Sequence, residues 1–171
     1  MITEKRTKLD DFTKAYIEAA LFSSTGEPFG DCEECGAADK LLYWNPQRRK
    51  HDQCLECCPY GKPTDAPHEP PLDDCYSSED ISDAALVKII ADCAKFQKEN
   101  EESISSEFHK SKTDNEIDSA AGRDFWLTRN GHGAGFWDGD WTEPAATLLT
   151  DAAHKFGECN LYPGDDGRLY I

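Results

Sequence analysis

The chain has 171 residues, 38% of them hydrophobic, 11% aromatic and 30% charged, with 18 Lys and Arg against 34 Asp and Glu for a formal charge of -16. Together with a mean hydropathy of -0.71, this describes a polar globular protein of one domain with at most a small satellite, and excludes a fully disordered chain. The charge opposes loose association with phosphate backbones or anionic lipid, no run approaches the roughly 18 to 20 apolar residues of a membrane helix, and the opening MITEKRTKLDD lacks the apolar core of a secretory signal, so the expected address is the cytosol.

In chain order, the first expected element is a helix from Lys8 to about Ser23, where Leu9, Phe12, Tyr16, Ala19 and Ala20 recur at spacings of three and four. Thr7 and Asp10 fit its start, and Ser23 to Gly26 with Pro28 its stop. Residues 31–71 show no sustained helical period and carry Cys32, Cys35, Cys54, Cys57 and Cys58 among six prolines, which reads as a loop-rich insertion with Pro63 to Pro71 as a stiff tether. A second helix is expected from Ser77 to about Ser105, with Ile81, Leu86, Ile89, Ile90, Cys93 and Phe96 on one stripe and Ser78 or Ser82 as cap. Ser103 to Ser119 is polar enough to read as a mobile linker. Half the acidic excess lies here: 73–119 holds thirteen acidic against five basic residues, a net -8.

The last 50 residues change character. Phe125 to Thr128 and Phe136-Trp137 read as short aromatic strands around a glycine-rich turn, Asn130 to Gly135. Thr142-Glu143-Pro144 opens a third helix with Leu148, Leu149, Ala152 and Phe156 on one side and Gly157 at its end. Asn160 to Tyr162 and Arg168 to Tyr170 flank Pro163 to Gly167, a second hairpin signal. The expected fold is therefore α+β, with about three helices packed on a small antiparallel sheet: residues 1–30 and 72–171 form one acidic domain, and 31–71 an inserted four-cysteine zinc module.

The metal assignment rests on spacing. Cys32-x2-Cys35, then 18 residues, then Cys54-x2-Cys57 matches a four-thiolate zinc site, in which each turn aims two sulfurs at one point of a tetrahedron. Cys58, His51 and His68 are substitute ligands, and Gly36 permits the tight turn of a zinc knuckle. The segment resembles a zinc ribbon or treble clef over roughly residues 31–60. Four thiolates leave no open position for water, so such a zinc is structural, and a redox dithiol would want a strand and helix context that this segment lacks. Arg48, Arg49 and Lys50 would partly offset the thiolate charge, or with His51 contact phosphate. Cys93 reads as a core residue, and with four of eight cysteines assigned to metal a reducing compartment suffices.

The second cluster is Asn130 to Trp141. His132 between glycines has the makings of a general base, and Asp138 with Asp140 those of a divalent-metal pair. Against that, glycines make turns, aromatics make core, and short polar side chains satisfy loop backbone. The glycines match neither phosphate-binding fingerprint. Trp126, Trp137 and Trp141 cluster here, as core or as interface anchors.

The stretch FWLTRNGHGAGFWD at 125–138 resembles the signature of a family of small acidic proteins encoded by bacteriophages and prophages, as do the ending LYPGDDGRLY at 161–170 and the helix from Phe12 to Ser24. The resemblance covers most of the chain except 31–71. It implies a phage origin and an accessory role in the cytoplasm of an infected bacterial host, and since the family has no assigned activity it transfers no catalytic residue.

Three functions follow as expectations. The first is an accessory protein that binds and modulates a host or defence protein, in its sharper form an acidic DNA mimic that fills the groove of a nucleic-acid-binding enzyme through Asp80, Asp83, Asp92, Glu99, Glu101 and Glu102. The second is a metal-dependent enzyme acting on nucleic acid or nucleotides through His132, Asp138 and Asp140, which requires those side chains to converge in a pocket. The third is a zinc-module nucleic-acid binder using Arg48, Arg49 and Lys50, a contact that the overall charge opposes.

Overall fold

The computed structural model describes residues 8–26, 29–30, 32–33, 35–36, 40–45, 50–54 and 71–171, the segments 29–30, 40–45 and 50–54 by their backbone. Four α-helices occur among them: α1 (Asp11–Ser23), α2 (Asp83–Glu99), α3 (Ile117–Arg129) and α4 (Ala145–His154). The strands are β1 (Phe29–Gly30), β2 (Lys40–Asn45), β3 (Lys50–Cys54), β4 (Tyr162–Pro163) and β5 (Leu169–Tyr170), all paired antiparallel in two sheets, β1-β2-β3 and β4-β5. The α+β class stands. The chain gathers into two compact units, one of residues up to Ala20 with Asp83–Asn160, the other of Leu21–Ser82 with Leu161–Ile171.

The first unit is built on aromatic rings. Asp10 caps α1, its carboxylate accepting the Thr13 amide at 2.7 Å. The i, i+4 pair Phe12 and Tyr16 is fully buried, as are Phe96 of α2, Phe125 of α3 and Phe136 beyond it. Phe96 stacks on Phe125 with centroids 4.0 Å apart and on Phe136 at 5.7 Å, while Tyr16 meets Trp126 edge-on at 5.2 Å. Leu86, Ile89, Cys93 and Phe96 form the buried stripe of α2, as their spacing predicts, and the helix ends where the Asn100 side chain donates to the Phe96 carbonyl at 2.8 Å. Its start is shorter than expected: Ser77 caps a separate 3₁₀ turn, Ser78–Asp80, and α2 begins at Asp83.

Two expectations fail in this unit. Phe125 to Thr128 is no strand; it is the last part of α3, whose buried Ile117, Ala121, Phe125 and Thr128 follow a helical period that the aromatic run disguises. The glycine segment therefore follows a helix, and Phe136-Trp137 is a turn rather than a strand. Residues 103–119, read as a linker, hold a 3₁₀ turn at Ser106–Phe108 and the entry to α3, where the Thr113 amide and hydroxyl both donate to the Glu116 carboxylate. The Ser, Thr, Asp and Glu residues that suggest disorder are here local capping groups.

In the second unit, β2 and β3 pair with Leu42 opposite Cys54 and a register shift at Tyr43/Trp44. The terminal hairpin forms as expected, Tyr162 opposite Tyr170, and the Ser82 amide donates to the Leu169 carbonyl at 2.8 Å. Thr25 and Pro71 form an antiparallel bridge, and the Leu72 amide donates to the Ser24 carbonyl at 2.9 Å, so the two ends of the intervening segment lie side by side. Gly26 packs where a Cβ would meet the Pro163 ring at 2.7 Å and Leu72 at 3.1 Å. Pro63, Pro67 and Pro70 lie outside the described residues.

Candidate functional site

The loop from Asn130 to Trp141 joins α3 to the approach of α4 and is held to the body at several points. The Thr128 hydroxyl accepts the Phe136 amide at 3.0 Å, and the His132 amide donates to the Leu127 carbonyl at 3.0 Å. Gly135 has φ +146° and lies where a Cβ would run into the Thr128 side chain, so only glycine fits. The Asn130 side-chain oxygen accepts the Cys159 amide at 2.8 Å. Two aromatic residues pin the far end: Phe136 is fully buried, and Trp141 is 3% exposed.

Asp138 serves this loop. One carboxylate oxygen accepts the Gly135 amide at 3.3 Å and the other the Asp140 amide at 3.2 Å. Asp140 is joined to Asp138 through its own backbone, and its carbonyl accepts the Lys110 amide at 3.0 Å. His132 stands in the preceding turn, half-buried. Asp138 and Asp140 thus meet through the loop backbone. Among the described residues no three His, Cys, Asp or Glu side chains gather to hold a metal ion. The three tryptophans divide: Trp126 and Trp141 are core, whereas Trp137 is 53% exposed between Phe136 and Asp138.

The buried polar chemistry of this unit lies on residues that the sequence does not advertise. The Arg129 guanidinium, at 3% exposure, donates to the Tyr16 hydroxyl at 2.9 Å, the Asp92 carboxylate at 3.2 Å, and the carbonyls of Gly157 at 2.9 Å and Phe156 at 3.1 Å. Burial pushes the Tyr16 phenol up, with the Arg129 charge opposing it. This cation ties α1 and α2 to the end of α4. Asp124, also 3% exposed, accepts the Trp141 indole N–H at 2.8 Å and the Arg123 Nε at 3.2 Å. Burial raises its carboxyl above the usual range, and the bonds from Trp141 and Arg123 hold it back. Beside it, the His109 ring meets Trp141 edge-on at 4.9 Å, its Nδ1 accepts the Ser111 amide at 3.2 Å, and its Nε2 is buried without a hydrogen-bond partner. Their signal in the sequence is a charged or imidazole side chain inside an otherwise apolar spacing, which is weak by itself.

A recess of about 430 Å³ borders the Arg129 cluster, lined by Asp92, Lys95, Glu99, Asn100, Lys155 and Phe156 among others. Its charges are of both signs, and the Lys95 ammonium stands 3.9 Å from Glu99 and 5.2 Å from the Phe156 ring centroid. His132, Asp138 and Asp140 do not line it, whereas Asp92 and Glu99, expected as acidic contact residues, do.

Of the cysteine set, the first pair is described. Cys32 is 1% exposed and Cys35 is exposed. The Gly36 amide donates to the Cys32 carbonyl at 2.8 Å with Gly36 at φ +70°, closing the tight Cys-x-x-Cys turn that a thiolate pair needs. Cys54 ends β3, described by backbone only, as are Lys50 and His51; Cys57, Cys58, His68, Arg48 and Arg49 lie outside the described residues. Cys93 and Cys159 are buried, and burial drives the Cys93 thiol well above its usual range, as for a core residue. No helix among the described residues is long and apolar enough to cross a membrane. Protein-family models, curated proteins and solved structures return no match to the chain.

Proposed function

We propose that this protein acts by binding, as a phage-type accessory factor that engages and modulates a host or defence protein in the bacterial cytoplasm, with Cys32, Cys35, Cys54 and Cys57 holding a structural zinc. The observation that carries this reading is the use made of the glycine-rich loop. Both oxygens of Asp138 are spent on loop amides, as in an architectural turn, while Trp137 is presented to solvent. A catalytic reading would want His132, Asp138 and Asp140 facing one pocket.

The insertion reading draws support from the bridge between Thr25 and Pro71, which brings the two ends of the intervening segment side by side. The zinc would staple that segment, with four thiolates closing its coordination sphere and no water left to activate. The DNA-mimic form of the proposal draws on fewer groups than the sequence offers. Asp80 accepts the Ser77 amide and hydroxyl, Asp92 pairs with Lys88 and Arg129, and Glu99 faces Lys95, so at least these three carboxylates are already engaged within the fold. Over its length α2 carries three acidic and three basic residues, so it presents no carboxylate ladder.

The test is affinity capture from bacterial lysate with the zinc-loaded protein, repeated with excess duplex DNA. A reproducible protein partner retained in the presence of DNA is the expected result. Displacement by DNA would select the mimic form. Capture of nothing, together with turnover of nucleotide substrates that is lost in His132→Ala, would replace binding with catalysis.

A further inference from the structure

We infer that the tip of the 130–143 loop is the contact surface for a protein partner presenting arginine or lysine beside a shallow apolar recess, with Trp137 as the anchor that enters the recess. This rests on the binding reading above and gives it a place and a partner chemistry. An indole held 53% exposed gives up burial that its two aromatic neighbours obtain, since Phe136 is fully buried and Trp141 is 3% exposed. It stays exposed because the loop cannot fold it inward. The Phe136 amide is fixed on Thr128, Gly135 packs against the same threonine, and Asp138 clamps the amides on both sides of the indole. A tryptophan fixed in this way loses little further freedom on binding, which is the property of an interface anchor.

Charge selects the partner. From Asn130 to Glu143 there are three carboxylates, Asp138, Asp140 and Glu143, and no lysine or arginine. All three are exposed and none makes an ion pair among the described residues, while Asp138 also serves the loop amides and Glu143 accepts the Thr147 hydroxyl at 2.9 Å. They differ in this from Asp92 and Glu99, which are neutralised within the fold. An exposed indole beside uncompensated carboxylates suits a guanidinium or ammonium, which gains both a cation–π contact and ion pairs. The same charges repel a nucleic-acid backbone, and a second copy of this tip would set carboxylates against carboxylates.

The experiment pans a random 12-residue phage-display peptide library on the full-length zinc-loaded protein, with parallel panning on Trp137→Ala and Asp140→Asn. Neither change removes a buried contact or a side-chain clamp of the loop, and near-ultraviolet circular dichroism of the buried Trp141 checks that each variant is folded. The expected result is enrichment of peptides with Arg or Lys next to an apolar residue. Their affinity should fall at least about tenfold for Trp137→Ala, fall by a smaller factor for Asp140→Asn, and weaken with added salt. Peptides without basic residues, unchanged binding to Trp137→Ala, or no enrichment at all would overturn the inference. Lysate capture with Trp137→Ala separates the two levels: full retention of a partner captured by the unaltered protein sinks the tip and leaves the binding function intact, while failure of the unaltered protein to capture anything sinks the function itself.

Discussion

At the scale of single residues, the polar groups of the first unit are unequal in how completely they are served. Arg129 has a partner for each of its donating nitrogens, and a buried cation so paired holds its place because removing any partner leaves a charge in a dry site. His109 is the contrary case, 6% exposed with Nε2 unpartnered. Because the Ser111 amide donates to Nδ1, the neutral ring carries its proton on Nε2, and taking up a second proton would cost the Ser111 bond as well as bury a charge. Burial accordingly lowers the His109 pKa; the charges of Asp124 and Asp140 favour the imidazolium, and Lys112 and Arg123 oppose it. The folded chain therefore resists a proton that the unfolded chain accepts below about pH 6.5. The stabilising difference is fully present above that pH and is lost progressively as the pH falls from there through the lowered folded-state value. Urea midpoints at pH 5 and pH 7 should differ more for the unaltered protein than for His109→Gln, which cannot titrate. Equal differences would show that His109 contributes nothing to the acid limb.

At the scale of elements, the contact between α1 and α3 turns on one glycine. Gly122 lies in mid-helix, where glycine costs about 1 kcal/mol against alanine, and an added Cβ there would meet the Phe12 backbone carbonyl. The absence of a side chain lets α1 lie close enough for Phe12 and Tyr16 to reach Phe125 with centroids at 6.1 and 5.4 Å. Gly122→Ala should therefore destabilise the protein by roughly 1–3 kcal/mol as an overpacked contact, against the usual gain from the same change in an open helix, and chemical denaturation reads the sign directly. A gain in stability would mean that α1 stands off from α3. The same helix marks the limit of what the sequence makes legible. The stripes of α1 and α2 are readable because their apolar residues recur at three and four, whereas α4 buries Ala145, Ala146, Leu149 and Ala153 and leaves Leu148, expected on its inner side, 52% exposed. In α3 the period runs through Gly122, Asp124 and Arg129, residues placed by tertiary contacts, and the β-prone run Phe125 to Thr128 outweighs it locally. The Cys-x-x-Cys spacing and the terminal hairpin are legible for the opposite reason, since each is fixed by turn chemistry within a few residues. The exposure of Trp137 was one of two open fates, decided by the glycine and threonine packing beneath it.

At the scale of the molecule, the chain has two sources of order with different chemistry. The unit of residues up to Ala20 with Asp83–Asn160 has a stacked aromatic core and a buried cation with a partner on each nitrogen. The unit of Leu21–Ser82 with Leu161–Ile171 has short strands, few buried large side chains among the described residues, and the Cys32–Gly36 turn. On the proposed zinc reading, such a segment would gain stability from the metal, because the site does not exist in the unfolded chain and the binding free energy becomes folding free energy. Zinc removal by a chelator, or Cys32→Ser with Cys35→Ser, should then act on one unit. Elemental analysis should fall from one zinc per chain to none, hydrogen exchange should accelerate in β2 and β3, and the amides of α3 should keep their protection. The near-ultraviolet signal of Trp126 and Trp141, both within the first unit, should persist. Loss of α3 protection on chelation would show that the two units fold as one, and a chain that binds no zinc when all eight cysteines are reduced would remove the metal from the fold altogether.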